Sequence, residues 1–75
     1  MNYIIVESQT TDGVTTVLTD TRTDFFDAEA EYHRRLSFAA KSPVDIHSVT
    51  LLFENGKESK HEAYDHRTPN AETEE

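Results

Sequence analysis

Two short runs rich in β-branched residues open the chain, and a turn signal separates them. Residues 3–6 read Tyr-Ile-Ile-Val and residues 14–19 read Val-Thr-Thr-Val-Leu-Thr, compositions that favour strands. Between them, Asp12-Gly13 is a pair that accepts the positive φ angles of a tight turn. The pattern therefore predicts a β-hairpin at the start of the chain.

A single amphipathic helix is predicted after this hairpin. Thr23 or Asp24 is suited to cap its N-terminus, no Gly or Pro follows as far as Ser42, and Pro43 closes the run. At 100° per residue, one set of mostly apolar residues falls near a single line. This predicted core face consists of Phe25, Ala28, Tyr32, Leu36 and Ala39. The spacing predicts one helix of about nineteen residues.

A second hairpin is predicted after the helix. Residues 44–53 indicate a third strand, whose alternation breaks near His47 and suggests a bulge or bend there. The Asn-Gly pair at 55–56 is a strong hairpin signal. Residues 58–64 are mostly charged or polar, so we expect a fourth strand at an edge of the sheet, where charge discourages further pairing.

The order of these elements predicts an α+β domain with ββαββ topology. Its simplest arrangement is a four-stranded antiparallel sheet with one amphipathic helix packed on one face. We expect this single domain to occupy residues 1–66. Residues 67–75 are polar and acidic, so they are expected to form a disordered tail.

Composition and charge exclude several function classes. The chain carries seven Lys/Arg against fifteen Asp/Glu, a formal charge of −8, whereas direct binding of nucleic acid needs a basic surface. No apolar stretch approaches the ~20 residues of a membrane span. The N-terminus lacks the basic and apolar regions of a secretory signal, so we expect a cytoplasmic location. Without cysteine, disulfides, thiolate nucleophiles and zinc ribbons are excluded.

Catalytic and metal chemistry find little support in the residue pattern. The four histidines are His33, His47, His61 and His66. No two of them have the i, i+4 spacing of helical zinc ligands, although His33 and His47 could approach each other across the predicted interface. Both glycines lie in predicted turns, which leaves no phosphate-binding loop. We therefore predict no catalytic residue, no bound metal and no cofactor, and we treat the histidines as structural.

A second helix stripe beside the core face contains small or aromatic residues. It consists of Phe26, His33, Ser37 and Ala40. A core this small rarely supplies more than about 3–5 kcal/mol, so we expect a homodimer that uses this stripe for self-association. The alternative is a wide apolar face tucked under the edge of the sheet.

A third stripe, on the other side of the core face, is acidic and ends in an aromatic residue. Its predicted partner-binding residues are Asp24, Asp27, Glu31 and Phe38. Carboxylates spaced along a helix can complement a basic groove, and Phe38 would serve as an apolar anchor. The alternative is an ordinary solvated face, in which Glu31 pairs with Arg35 one turn later.

A sequence pattern in the helix and the following strand resembles a group of short uncharacterised proteins from Gram-positive bacteria, their phages and mobile elements. The pattern reads Ala-Glu-Ala-Glu-Tyr-His at 28–33, then Leu36, Ala39-Ala40, Ser42, Val44, His-Ser-Val at 47–49 and Leu-Leu at 51–52. The resemblance implies a compact fold and a phage or mobile-element setting. Small acidic phage proteins of this kind are similar to inhibitors of host defence nucleases, including anti-CRISPR proteins.

These observations lead to three hypotheses for function. The first is a small acidic, non-enzymatic module that binds a basic protein partner and blocks its nucleic-acid-binding surface. The second is a structural or accessory homo-oligomer without an inhibitory role. The third is a metal-dependent site that uses His33 and His47.

Overall fold

The computed structural model describes residues 1–67, in which two β-hairpins flank one helix. The elements are β1 (Tyr3–Thr11), β2 (Val14–Arg22), α1 (Phe25–Lys41), β3 (Ile46–Phe53) and β4 (Glu58–Asp65). The strands form one antiparallel sheet in the order β2-β1-β3-β4, and α1 packs on one of its faces. The predicted α+β fold is therefore confirmed. The predicted acidic tail, apart from its first residue Arg67, lies outside the described residues.

Both hairpins turn at the glycines that the sequence indicates. Asp12 and Gly13 have φ angles of 53° and 80°, the two positive values of a type I′ turn, so Thr11 pairs directly with Val14. At the second hairpin, Gly56 takes a φ of 88° and donates its backbone N–H to the Phe53 carbonyl at 2.8 Å. The second connection is longer than the first because it spans residues 54–57.

The ends of α1 follow local capping rules. Asp24, rather than Thr23, is the N-cap, since its Oδ2 accepts a hydrogen bond from the Asp27 amide at 3.0 Å. The helix ends at Lys41, with the Ser42 amide donating to the Ala39 carbonyl at 3.3 Å ahead of Pro43. Among residues 1–67, no helix is long and apolar enough to cross a bilayer.

The apolar core lies between α1 and the two central strands. Because side chains alternate along a strand, Ile5, Val49 and Leu51 point towards the helix. Against them pack Ala28, Tyr32 and Ala39, with Tyr3, Phe25, Leu36 and Tyr64 around the margin. All five residues of the predicted helix core face thus contribute to this core.

The structure contradicts the predicted bulge or bend near His47 and confirms that β4 is an edge strand. β3 pairs with β1 residue by residue over its whole length, so there is no bulge near His47 in that ladder. The shift in register lies instead between Leu51 and Leu52, against β4. The polar His47 is compatible with a regular strand because it is buried against a polar partner on β1. β4 is an edge strand as predicted, and β2 is the other edge.

Candidate functional site

A cluster of ionisable side chains lies at the sheet–helix interface beside the apolar core. We call it the buried ion network, and it consists of Glu7, Asp20, Arg22, Glu31, Arg34, Arg35 and His47. Its sheet members share the helix-facing side because they are in register with core positions. For example, Asp20 lies directly opposite Ile5, and Arg22 lies opposite Tyr3. The network therefore lies next to the apolar core on the same face of the sheet, and its side chains are held by polar contacts.

Arg35 is the centre of this network. Its guanidinium donates from Nε to Glu31 Oε2 at 2.6 Å and from Nη1 to Glu7 Oε1 at 2.9 Å, and it reaches Asp20 Oδ2 at 3.3 Å. One helical position earlier, Arg34 binds both oxygens of Glu31 at 2.9 and 2.6 Å. Because charge-assisted hydrogen bonds stabilise the ionised form, Arg34 and then Arg35 lower the pKa of Glu31 to about 2 against the opposing effect of burial.

His47 joins the network through a short contact with Glu7. His47 Nε2 lies 2.5 Å from Glu7 Oε2, and the histidine is only 4% exposed. Burial tends to raise the pKa of Glu7, but hydrogen bonds from His47, Gln9 and Arg35 outweigh it and the pKa is lowered. Because both side chains are largely buried, the geometry of the pair suits a structural role.

The two histidines of the metal hypothesis lie in different environments. His33 is exposed on α1, where its ring packs against Tyr32 with 5.2 Å between centroids. His47 is buried beneath the same helix. Within the described part of the chain, no group of three His, Cys, Asp or Glu side chains is placed to hold a metal ion.

The predicted partner-binding stripe is divided by the structure. Asp24 and Asp27 are exposed at the start of α1, and Phe38 is 61% exposed near its end, with Arg34 lying 5.7 Å from the ring centroid. Glu31 is not on this surface: it is 8% exposed and belongs to the buried ion network. The expectation that Glu31 is available to a partner is therefore wrong. The helix pattern alone could not show this burial, because it depends on charged residues that strands β1 and β2 place beside the helix.

The predicted self-association stripe is fully accessible. Phe26 is 76% exposed, and the other three residues are also exposed: His33, Ser37 and Ala40. The alternative, that this stripe is tucked under the edge of the sheet, is wrong. The stripe lies beside the core face and all four residues are exposed, so it is an accessible surface of α1.

Charge is distributed unevenly between the interior and the surface. The buried ion network, the Lys60–Glu29 pair and the Asp65–Arg67 pair together engage five of the seven basic residues. Within residues 1–67, seven carboxylates form no ion pair: Asp12, Asp24, Asp27, Asp45, Glu54, Glu58 and Glu62. In the same part of the chain, Lys41 and Lys57 are the basic residues left to offset them. The surface is therefore acidic.

Four of these carboxylates gather at the end of the molecule where β1 begins, beside a row of aromatic rings. The Tyr3 ring lies 5.4 Å from Phe25 and 6.2 Å from Phe53, and Phe25 lies 5.9 Å from the exposed Phe26. The Asn2 amide donates to Glu54 Oε1 at 2.5 Å. We call this surface the acidic–aromatic end: Asp24, Phe26, Asp27, Phe53, Glu54 and Glu58.

An open depression of about 420 Å³ lies on the acidic–aromatic end. Its lining residues are Met1, Phe53, Glu54 and Asn55. No single stretch of the sequence indicates this surface, because its residues come from the chain start, the helix start and the second hairpin. The sequence indicates Asp24 and Asp27 as partner-binding residues and Phe26 as a self-association residue, but it does not connect them with the second hairpin.

Comparison of the chain with protein-family models, with curated proteins and with solved structures gives no match. Function is therefore inferred from the surfaces described above.

Proposed function

We propose that this protein is a non-enzymatic protein-binding module whose acidic–aromatic end binds a basic surface of a protein partner. The observation that supports this most directly is the excess of carboxylates outside the buried ion network. The network pairs Arg22, Arg34 and Arg35 with three carboxylates, and within residues 1–67 seven further carboxylates form no ion pair, against two lysines that form none. Such a surface steers a basic partner towards the molecule.

The acidic–aromatic end supplies an apolar anchor as well as charge. Phe26 is a large aromatic side chain with 76% of its surface exposed, and it lies between Asp24 and Asp27 in the chain. Aromatic residues at the centre of an interface commonly carry much of the binding energy, while charges at the rim set the association rate. Asp24 and Asp27 therefore stay in the proposed contact and Glu31 leaves it. Phe38 lies about 18 Å along α1 from Phe26 and becomes peripheral.

The biological setting is part of the proposal. The pattern in α1 and β3 that resembles proteins of Gram-positive bacteria, phages and mobile elements supports a phage-encoded inhibitor acting in the host cytoplasm. In that setting the basic surface is the nucleic-acid-binding groove of a host defence nuclease, as for anti-CRISPR proteins. Carboxylates spaced along a protein surface can take the place of phosphates in such a groove.

Pull-down from host lysate followed by competition with nucleic acid tests this function. The captured protein should be basic, and its binding to a labelled oligonucleotide should fall as the acidic protein is added. A captured partner that binds the oligonucleotide equally well with the acidic protein bound would contradict the inhibitory role.

Reversing one charge on the acidic–aromatic end should weaken the complex chiefly by slowing association. We expect Asp27→Lys to reduce the affinity for the captured partner about tenfold, with a weaker salt dependence. Phe26→Ala should instead hasten dissociation. Surface plasmon resonance at two salt concentrations separates the two rates.

Glu62→Lys is the matched control for Asp27→Lys. It makes the same change in charge at another exposed carboxylate. Glu62 lies about 13 Å along β4 from Glu58, the member of the acidic–aromatic end on that strand, and this distance exceeds the screening length at physiological salt. Equal losses for Asp27→Lys and Glu62→Lys would show that total charge, rather than the acidic–aromatic end, determines binding.

The second candidate function is the structural or accessory homo-oligomer. The exposed stripe of Phe26, His33, Ser37 and Ala40 on α1 favours it, since a large exposed aromatic ring beside small residues suits close contact between helices. A stable oligomer that captures no partner and is split by Phe26→Glu would favour this candidate over the inhibitor.

A further inference from the structure

The edge strand β2 differs sharply from the edge strand β4. β4 is protected by ionisable side chains along its length: Glu58, Lys60, His61, Glu62 and Asp65. In β2, residues 14–19 are all exposed and uncharged, and they are Val, Thr and Leu alone. Val14 is 67% exposed and Val17 is 56% exposed. Native proteins usually protect such an edge with charge, proline or a bulge, because its free backbone groups otherwise pair with another strand.

The direction of the backbone groups in β2 follows from the first hairpin. A two-residue turn is closed by a hydrogen-bonded pair, here Thr11 and Val14. Hydrogen-bonded pairs then recur at every second residue. The even-numbered residues of β2 therefore bond to β1, and the N–H and C=O groups of the odd-numbered residues point outwards. These outward residues are Thr15, Val17, Thr19 and Thr21.

Side chains form hydrogen bonds with the outward backbone groups of β2 at one end of the strand only. The Thr21 amide donates to Asp20 Oδ1 at 2.8 Å, and the Thr21 carbonyl accepts a hydrogen bond from Arg22 Nη1 at 3.4 Å. Both contacts agree with the outward direction deduced from the turn. Thr15, Val17 and Thr19 lie beyond the reach of these caps, so their backbone groups form an open segment of three outward residues.

We propose that this open segment of β2 pairs antiparallel with the same segment of a second copy of the chain. One register uses all three open residues and none of the capped ones: Val17 lies opposite Val17 of the second copy, and Thr15 opposite its Thr19. Two hydrogen bonds for each such pair give about six between the chains. The result is a continuous eight-stranded antiparallel sheet.

A lack of charge repulsion favours a second copy as the occupant. Residues 14–19 carry no charge, and in this register Asp20 lies opposite the uncharged Val14 of the second copy, so no like charges meet. Because the segment is symmetric about Val17, it complements itself. The pairing does not use the acidic–aromatic end, so it stands independently of the proposed function.

Cysteine crosslinking tests the register directly, because the natural chain contains no cysteine. A hydrogen-bonded antiparallel pair has Cα atoms about 5.5 Å apart, within the range that a disulfide spans. Val17→Cys should therefore form a disulfide-linked dimer under mild oxidation. Val14→Cys is the matched control: it is equally exposed, but it would lie about 20 Å from its copy and should stay monomeric. Equal crosslinking of the two variants would overturn the register.

Sedimentation and amide exchange test the interface in the unmodified chain. We expect a dimer for the natural protein, and self-association at least about tenfold weaker for Val17→Lys, because the two lysines would face each other. Phe26→Glu should leave the dimer intact. The Thr15, Val17 and Thr19 amides should gain protection from hydrogen exchange as protein concentration rises, while the Leu18 amide is protected throughout.

Three results would overturn this proposal. The first is a monomer even at millimolar concentration. The second is a dimer split by Phe26→Glu and not by Val17→Lys, which would assign self-association to the stripe on α1. The third is protection of the outward amides only when an extended peptide from another protein is added, which would make β2 a peptide-binding edge. Circular dichroism and melting temperature should show that Val17→Lys folds normally, since Val17 is exposed.

Discussion

Replacing Arg35 by methionine should remove most of the stability of this domain. We expect a loss on the order of 3–5 kcal/mol in the free energy of unfolding, because the change leaves buried carboxylates without their shared cation. Glu7 and Glu31 are each 8% exposed and each bonds directly to Arg35. A domain of this size has about that much stability in total, so cooperative urea unfolding should be weak or absent.

Arg34→Met is the matched control for this prediction. Arg34 also binds Glu31, but its side chain is more than half exposed, and exposed ion pairs contribute little. We expect a loss of no more than about 1 kcal/mol. Adding Glu7→Gln to Arg35→Met should restore part of the stability, since burying a neutral amide costs less free energy than burying an unpaired carboxylate. Equal losses for Arg35→Met and Arg34→Met would show that burial of the network is not what stabilises the fold.

The protein should lose stability steeply as the pH falls from about 4.5 towards 2. The folded state lowers the pKa of Glu31 from 4.5 to about 2, so on acidification the unfolded chain binds a proton at this carboxyl before the folded protein does. The resulting stabilisation is present above pH 4.5 and is lost as the pH falls through the folded pKa. Its size is at most roughly 3 kcal/mol, and it is reduced by solvent screening because the largest cause of the shift is the half-exposed Arg34. Glu7, whose pKa is also lowered, acts in the same direction.

Glu31→Gln separates this effect from general acid unfolding. The variant should be less stable at neutral pH, because an amide satisfies Arg34 and Arg35 poorly, and its stability should change less between pH 4.5 and 2. Asp65→Asn is the control. The pKa of Asp65 is likewise lowered to about 2 by Arg67, but that pair is exposed and only two residues apart, so it can form in the unfolded chain too. Urea titrations with parallel pH profiles for the natural protein and Glu31→Gln would contradict the role of Glu31.

The buried ion network also bears on the proposed partner binding. It fixes the orientation of α1 on the sheet, because Arg35 contacts side chains from β1, β2 and the helix itself. This orientation turns Phe26 outwards and leaves Asp24 and Asp27 at the molecular end beside Tyr3 and its aromatic neighbours. Variants that remove contacts of the network should therefore weaken the proposed partner binding only in proportion to the fraction of the protein that they unfold.

The elements and their order follow from local patterns in the sequence. Asp12-Gly13 and the glycine of the second turn specify hairpins through backbone sterics that do not depend on the rest of the fold. Asp24 caps α1 through a contact three residues away, and Pro43 ends the helix locally. The phase of Ala28 and Tyr32 on the core face follows from helical geometry alone. All of these features rest on contacts between near neighbours in the chain, which is why they could be read directly.

The burial of particular charged residues and the assembly of the surfaces depend instead on contacts between distant parts of the chain. Glu31 looks like a solvated helix residue until β1 brings Glu7, and β2 brings Asp20, to the same side of the sheet. His47 looks like a break in a strand until it meets Glu7, forty residues away. The acidic–aromatic end likewise joins the chain start, the helix start and the second hairpin. Whether a charged side chain is buried and paired depends on which distant side chain faces it. The order and register of the strands determine which side chain that is.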